Sequence, residues 1–178
     1  MPISVAFLRG INVGGHRVKN SELCAWFEVM GFEDVSAFLA SGNVLFHADR
    51  ESPTRLESKI EQGLNEMMGY PVPTFVRSTD DVIRIAQTQP FLKVALAAST
   101  GNLQVALLST RPSASNCKSA LGAAGPDDHL ALEDREMYWL PKETISESTL
   151  NLKSLEKILG PMTIRTQRTM KRLAVKLG

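Results

Sequence analysis

Ile3-Ser4-Val5-Ala6-Phe7-Leu8, followed at once by Arg9-Gly10-Ile11-Asn12-Val13-Gly14-Gly15, is the stretch from which the fold is read. Ile3, Val5 and Phe7 alternate with Ala6 and Leu8, so a strand here is apolar on both faces and is expected to be buried on both. The glycine-rich stretch then reads as a turn. Asn20 caps the helix that follows, whose apolar stripe is Leu23, Trp26, Phe27 and Met30, with Gly31 as its stop. Residues 35–39 and 43–47 read as strands joined by Ala40-Ser41-Gly42, a hairpin signal. Ser52-Pro53 opens the next helix as N-cap and first-turn proline, with Leu56, Ile60, Leu64 and Met67 on one face and Gly69 at its end. Residues 73–77 form a further short strand. Strand, helix, strand, strand, helix, strand is the order of the ferredoxin-like plait.

The second half repeats that order without evident sequence identity. Residues 103–109 read as a strand, 113–121 as a short helix, and 129–133 and 137–140 as a hairpin around Asp134-Arg135. Leu150, Leu155, Ile158 and Leu159 mark a helix stopped by Gly160-Pro161; residues 162–165 form a strand and 166–176 a terminal helix. Between the halves, residues 79–89 read as a helix and 91–101 as an irregular connector. The expected fold is α+β: two tandem ferredoxin-like (α-β plait) halves, 1–78 and 102–178, joined by a helical connector over 79–101. A lone plait leaves one sheet face open, yet Leu103, Val105 and Leu107 alternate with Ala106 and Leu108, repeating the two-faced apolar pattern. The expectation is that the two sheets cover each other, or that a homodimer covers them. Either arrangement would block the face with which a plait reads RNA.

The 178 residues suffice for a real core, and 43% hydrophobic with 22% charged residues is ordinary for a soluble globular chain. A net charge of +1 argues neither for nor against nucleic acid. No apolar run approaches the roughly 18 residues of a membrane helix. Met1-Pro2-Ile3-Ser4 enters a strand pattern directly, without the regions of a signal peptide. Cys24 and Cys117 lie far apart without CxxC spacing, so a reducing, cytoplasmic location is expected.

The chain resembles the bacterial family called domain of unknown function 1697. The resemblance rests on Leu8-Arg9-Gly10-Ile11-Asn12-Val13-Gly14-Gly15, on Gly31-Phe32 leading to Ser41-Gly42-Asn43-Val44, on Val72-Pro73 leading to Val76-Arg77, and on Gln89-Pro90-Phe91. It implies two ferredoxin-like halves, and it implies no activity. The second half departs from the family pattern: Glu147-Ser148-Thr149 stands where members often show Arg-Ser-Lys, and Arg165-Thr166-Gln167-Arg168-Thr169 where they often show Arg-Asn-Trp-x-Thr.

Strand directions bring the end of the first strand, the Ser41-Gly42 turn and the Gly69-Tyr70-Pro71 connection to one end of the first sheet. The expected ligand site there comprises Arg9, Gly10, Asn12, Gly14, Gly15, Arg17, Ser41 and Asn43, with His16 nearby. Arg9 and Arg17 would neutralise a phosphate or carboxylate, the Gly14 and Gly15 backbone would donate hydrogen bonds, and Ser41 and Asn43 would orient the ligand. The loop lacks the P-loop spacing and the dinucleotide GxGxxG. The plainer alternative is that Arg9 and Asn43 hydrogen-bond the loops into shape.

A second reading is nucleic-acid binding through the C-terminal segment. Arg165, Arg168, Arg172 and Lys176, at spacings of three, four and four, form one stripe of a helix whose buried side is Met170, Leu173 and Leu177. A solvated basic face near a helix C-terminus explains the same stripe. A structural or interaction module with no ligand is the third reading. No catalytic constellation, cofactor motif or metal spacing is recognisable: His16, His47 and His129 are scattered, and Ser41-Gly42-Asn43 is not a nucleophile elbow. Asp80-Asp81 read as first-turn helix residues and Asp127-Asp128 as turn residues.

Overall fold

A computed structural model describes residues 1–15, 17–39 and 42–178. Backbone contacts divide the chain into two compact units, Met1–Ile83 with Leu177–Gly178, and Arg84–Lys176.

The first unit runs β1 (Ile3–Leu8), α1 (Asn20–Val29), β2 (Glu33–Ala37), β3 (Asn43–His47), α2 (Pro53–Met68) and β4 (Thr74–Ser78). Its sheet has the order β2-β3-β1-β4 with every neighbouring pair antiparallel, which is the ferredoxin-like plait. Ala6, Leu8, Val44, Phe46 and Val76 of the sheet pack with Leu23 and Phe27 of α1 and Leu56, Ile60 and Leu64 of α2. Phe27, Phe32 and Phe46 stack as tilted rings with centroids 4.6 to 5.7 Å apart, a favourable geometry for aromatic quadrupoles. Val5, Phe7, Leu45 and Phe75 are buried too, so both faces of β1 leave water, as its pattern demands.

Two boundaries differ from the sequence reading. Lys19, not Asn20, is the N-cap of α1: Glu22 Oε2 accepts from the Lys19 N–H at 3.2 Å, while Asn20 Nδ2 donates to the Leu39 carbonyl at 3.3 Å. The cap-type residue is engaged in a tertiary contact. β2 also starts and ends two residues early, because Leu39 adopts φ 61° and the Phe38 N–H bonds the Asn43 carbonyl at 2.8 Å, placing both residues in the turn. Ser52 caps α2 as expected, accepting from the Arg55 N–H at 3.4 Å. β4 is an edge strand whose outward N–H groups are covered from α2. Glu61 Oε1 accepts from Thr74 at 2.9 Å and Glu57 Oε1 from Val76 at 2.8 Å, leaving those donors unavailable to a foreign strand.

α3 (Thr79–Gln87) passes from the first unit's residues into the second's. The second unit continues with α4 (Lys93–Ala98), β5 (Gln104–Leu108), α5 (Ala114–Gly122), β6 (Asp128–Glu133), β7 (Glu136–Pro141), α6 (Leu152–Leu159), β8 (Met162–Thr166) and α7 (Gln167–Leu177). Its sheet order, β6-β7-β5-β8, again antiparallel throughout, repeats the first plait. Ala106, Leu108, Ala120, Met137, Leu155, Leu159 and Met162 form its core. The connector read as irregular holds α4, where the alanine-rich Lys93-Val94-Ala95-Leu96-Ala97-Ala98 favours helix although none of it is fully buried.

The two plaits share residues as well as order. Val5-Ala6-Phe7-Leu8 of β1 and Val105-Ala106-Leu107-Leu108 of β5 occupy the same place, and Val76-Arg77-Ser78 of β4 matches Ile164-Arg165-Thr166 of β8. Ser78 and Thr166 each cap the next helix: Ser78 Oγ accepts from Asp81 and Thr166 Oγ1 from Thr169, both at 3.1 Å. The match is confined to one central and one edge strand of each sheet, so it is legible only once the registers are known.

Candidate functional site

The Leu8 N–H donates to the Gly42 carbonyl at 2.8 Å and the Arg9 N–H to the Pro73 carbonyl at 2.9 Å. The end of β1, the β2–β3 turn and the entry to β4 therefore meet at one end of the first sheet, as the strand directions imply. The loop leaving β1 is anchored in two places. Ile11 is buried in the core, with Gly10 at φ 73° turning the chain into it. Asn12 Oδ1 accepts from the Val18 N–H at 2.9 Å and closes the loop at its base. Between these anchors Gly14 and Gly15 are exposed at φ 64° and 86°, and a Cβ added to either would meet nothing within 4 Å. They are glycine for their backbone conformation, not for packing.

Of the residues expected to bind, Arg9, Gly14, Gly15 and Arg17 are exposed on this loop. Gly10 and Asn12 shape it. Asn43 is fully buried and its Nδ2 donates to the Phe38 carbonyl at 3.0 Å, stapling the turn, which is the plainer role read for it. The roles expected of Ser41 and His16 lie outside the described residues.

The second plait offers an internal comparison. The Leu108 N–H donates to the Arg135 carbonyl at 2.8 Å and the Ser109 N–H to the Pro161 carbonyl at 3.3 Å, the counterparts of the bonds framing the glycine loop. There the end of the sheet carries a cleft of about 240 Å³ lined by Arg111, Pro112, Ala114, Cys117, Leu132, Glu133 and Asp134. Arg111 of this lining and Arg84 beside it face carboxylates. Arg111 Nε lies 4.0 Å from Asp134, and Arg84 Nη2 lies 2.7 Å from the buried Glu136 and 3.8 Å from Asp134.

The basic stripe is shorter than its spacing suggested. Arg165 belongs to β8, as the strand read over 162–165 has it, and not to the helical stripe; its Nη1 donates to Thr163 Oγ1 and to the Ile164 carbonyl, each at 2.9 Å. Burial pushes its pKa down to about 10. Arg168, Arg172 and Lys176 remain exposed on α7.

Asp128, read as a turn residue, is instead the buried first residue of β6. Its carboxylate accepts from Trp139 Nε1 at 2.6 Å and from Ser148 Oγ at 2.9 and 3.0 Å. Gly125-Pro126 before it suggested a turn; the signal missed is Trp139, whose buried indole N–H needs an acceptor. Asp81 behaves as expected of a first-turn acid, accepting from the Ser78 N–H at 3.2 Å.

The family model described as "Protein of unknown function (DUF1697)" matches residues 1–138. The chain belongs to the DUF1697 family. The matched region holds the whole glycine loop and stops within β7, before Glu147-Ser148-Thr149 and the Arg165 segment. Among solved structures, the conserved bacterial protein SP0830 from Streptococcus pneumoniae is similar, with a TM-score of 0.74 and 18% identity over 99% of this chain and 98% of its own. At that identity the likeness is one of fold. None of the curated proteins compared with this DUF1697 chain matches it.

Proposed function

We propose that this DUF1697 protein binds a small anion, a phosphate or carboxylate group, on the glycine loop of its first plait. The observation that carries the reading is the placing of two exposed guanidinium side chains, Arg9 and Arg17, on either side of the exposed left-handed backbone at Gly14-Gly15. The guanidinium fork supplies charge and paired donors to an anion, and the glycine backbone adds N–H donors without a Cβ in the way. The loop leads into the N-terminal end of α1, whose dipole has the same sign as the two arginines. A cytoplasmic location belongs to the same reading and is supported by Cys24 and Cys117 being free thiols. Among the described residues no helix is long and apolar enough to cross a membrane.

The test is a melting-temperature screen against inorganic phosphate, nucleotides, carboxylates and a short RNA, with Arg9→Ala and Arg17→Ala alongside. A ligand at about 100 times its Kd adds about 2.7 kcal/mol, a readily measured shift. The expected result is a shift from one anion class that either substitution abolishes. A shift from RNA alone, kept in Arg9→Ala and lost in Arg168→Ala with Arg172→Ala, would move the site to α7. No shift from any compound would overturn the reading.

A further inference from the structure

The sheet edges of this molecule are not equally protected. At the β2 edge the register breaks between Glu33 and Ser36, with Asp34 at φ 47°. At the β4 edge the carboxylates of Glu57 and Glu61 hold the outward N–H groups. β6 has neither device. It pairs residue for residue with β7 from Asp128 to Glu133, without a bulge. The Lys142 N–H donates to the Asp127 carbonyl at 2.8 Å, which fixes the alternation: Asp127, His129, Ala131 and Glu133 turn their backbone groups toward β7, whereas Leu130 and Leu132 turn theirs to the open side. Among the described residues no side chain caps these groups. Leu130 and Leu132 are only half-buried, completing the core from its margin. A regular, uncapped edge with leucine side chains is a template for another strand.

We propose that β6 pairs antiparallel with β6 of a second copy of this chain about a two-fold axis through Ala131, joining two second-plait sheets into one. The occupant follows from self-complementarity. In that register Leu130 exchanges both backbone bonds with the partner's Leu132, and the two-fold repeats the exchange. His129 then falls opposite the partner's Glu133 at a non-hydrogen-bonded position, where cross-strand side chains approach most closely. Both side chains are exposed, an imidazole N–H can donate to a carboxylate, and the axis produces this contact twice. The neighbouring register, with Leu130 on the axis, would instead set Asp127 against the partner's Glu133, two exposed carboxylates. Like charges directly opposite are unfavourable, so the charges on this edge favour the first register over that one. This pairing does not depend on the anion site.

Sedimentation velocity over a concentration series tests the association, and hydrogen exchange with mass spectrometry tests the surface. The expected result is a monomer–dimer equilibrium in which the Leu130 and Leu132 amides exchange more slowly as concentration rises. His129→Glu should weaken the dimer by about tenfold or more, because it introduces two like-charge contacts with Glu133. Adding Glu133→Lys to it should restore association by reversing the pair. Glu133 also lies near Arg84 and the His129 ring lies 6.1 Å from that of Phe91, so every variant is checked by circular dichroism; His129→Lys should strengthen the dimer by itself. A monomer at every concentration overturns the proposal. So does a dimer whose Leu130 and Leu132 amides are unprotected, or one indifferent to both His129 substitutions. Protection of those amides only on adding another protein would assign the edge to a foreign strand and overturn it equally.

Discussion

Arg77 and Arg165 hold one position in two sheets of the same plan, each opposite a valine of the central first strand and each turning its guanidinium back onto the preceding carbonyl. The pairs are Arg77 with Val5 and Arg165 with Val105; Nη1 lies 3.0 Å from the Val76 oxygen in one and 2.9 Å from the Ile164 oxygen in the other. A cation built into a sheet in this way packs through its long stem as much as it bonds through its head.

Removing it should therefore be costly while its neighbours on α7 should be dispensable. Arg165→Ala is expected to destabilise by about 2 kcal/mol or more, from lost packing and lost hydrogen bonds. Arg168→Ala, at an exposed helix position, should stay within about 0.5 kcal/mol. Urea denaturation midpoints separate the two. Equal, small effects would return Arg165 to the solvent-facing stripe.

The glycines at the loop end should also separate. A Cβ on Gly42, at φ 70°, would lie 3.0 Å from Ile11 Cγ2 and 3.2 Å from the Leu8 carbonyl oxygen. Gly42→Ala thus combines backbone strain with a clash against the strand, and a loss of about 2 kcal/mol or more is expected. Gly14→Ala meets only the strain, about 1 kcal/mol. Thermal melts of the two variants check the order. Gly14→Ala should further weaken anion binding while the fold survives.

Asp128 and Trp139 should prove coupled. Asp128→Ala leaves a buried indole N–H without an acceptor, a penalty of about 2 kcal/mol, and Asp128→Asn should cost less because its amide oxygen still accepts. Trp139→Phe should make the Asp128 substitution milder. A double-mutant cycle with equilibrium unfolding measures this, and additive single effects would count against the link.

Tyr138 gives the chain an alkaline sensitivity. Its hydroxyl is buried beside Thr88, and burial raises its pKa above the ordinary 10.0. Below pH 10.0 the phenol keeps its proton in both the folded and the unfolded chain. Above it the unfolded chain ionises first, so stability falls as pH rises through the raised value. Tyr138→Phe should be close to neutral at pH 7 and should show a smaller loss between about pH 9 and 11, read from urea midpoints.

Much of the fold was legible along the chain. The two-faced apolar strands around Val5 and Val105, the Ser52-Pro53 helix start and the stops at Gly31, Gly69 and Gly160 are local signals, and each appears where its chemistry requires. The candidate loop was legible only in part. Arg9, Gly14, Gly15 and Arg17 stand out by type, but nothing local reveals that Ile11 is a core residue or that Asn43 is buried and bonded to Phe38.

What the sequence alone determined is periodicity and punctuation: which segments alternate, which spiral, and where glycine or proline ends them, because those depend on neighbours a few residues apart. Only the tertiary structure decided the fate of the polar residues. Asn20 became a cross-link to Leu39, Asp128 a buried partner of Trp139, Arg165 a donor to Thr163 and the Ile164 carbonyl, and Glu57 a cover for the β4 edge. A buried donor or acceptor must find a partner wherever the fold places one, and that partner can lie many residues away. The same reason hid the repeat: Val5 with Arg77 and Val105 with Arg165 match only across a sheet, where register rather than chain order sets who stands opposite whom.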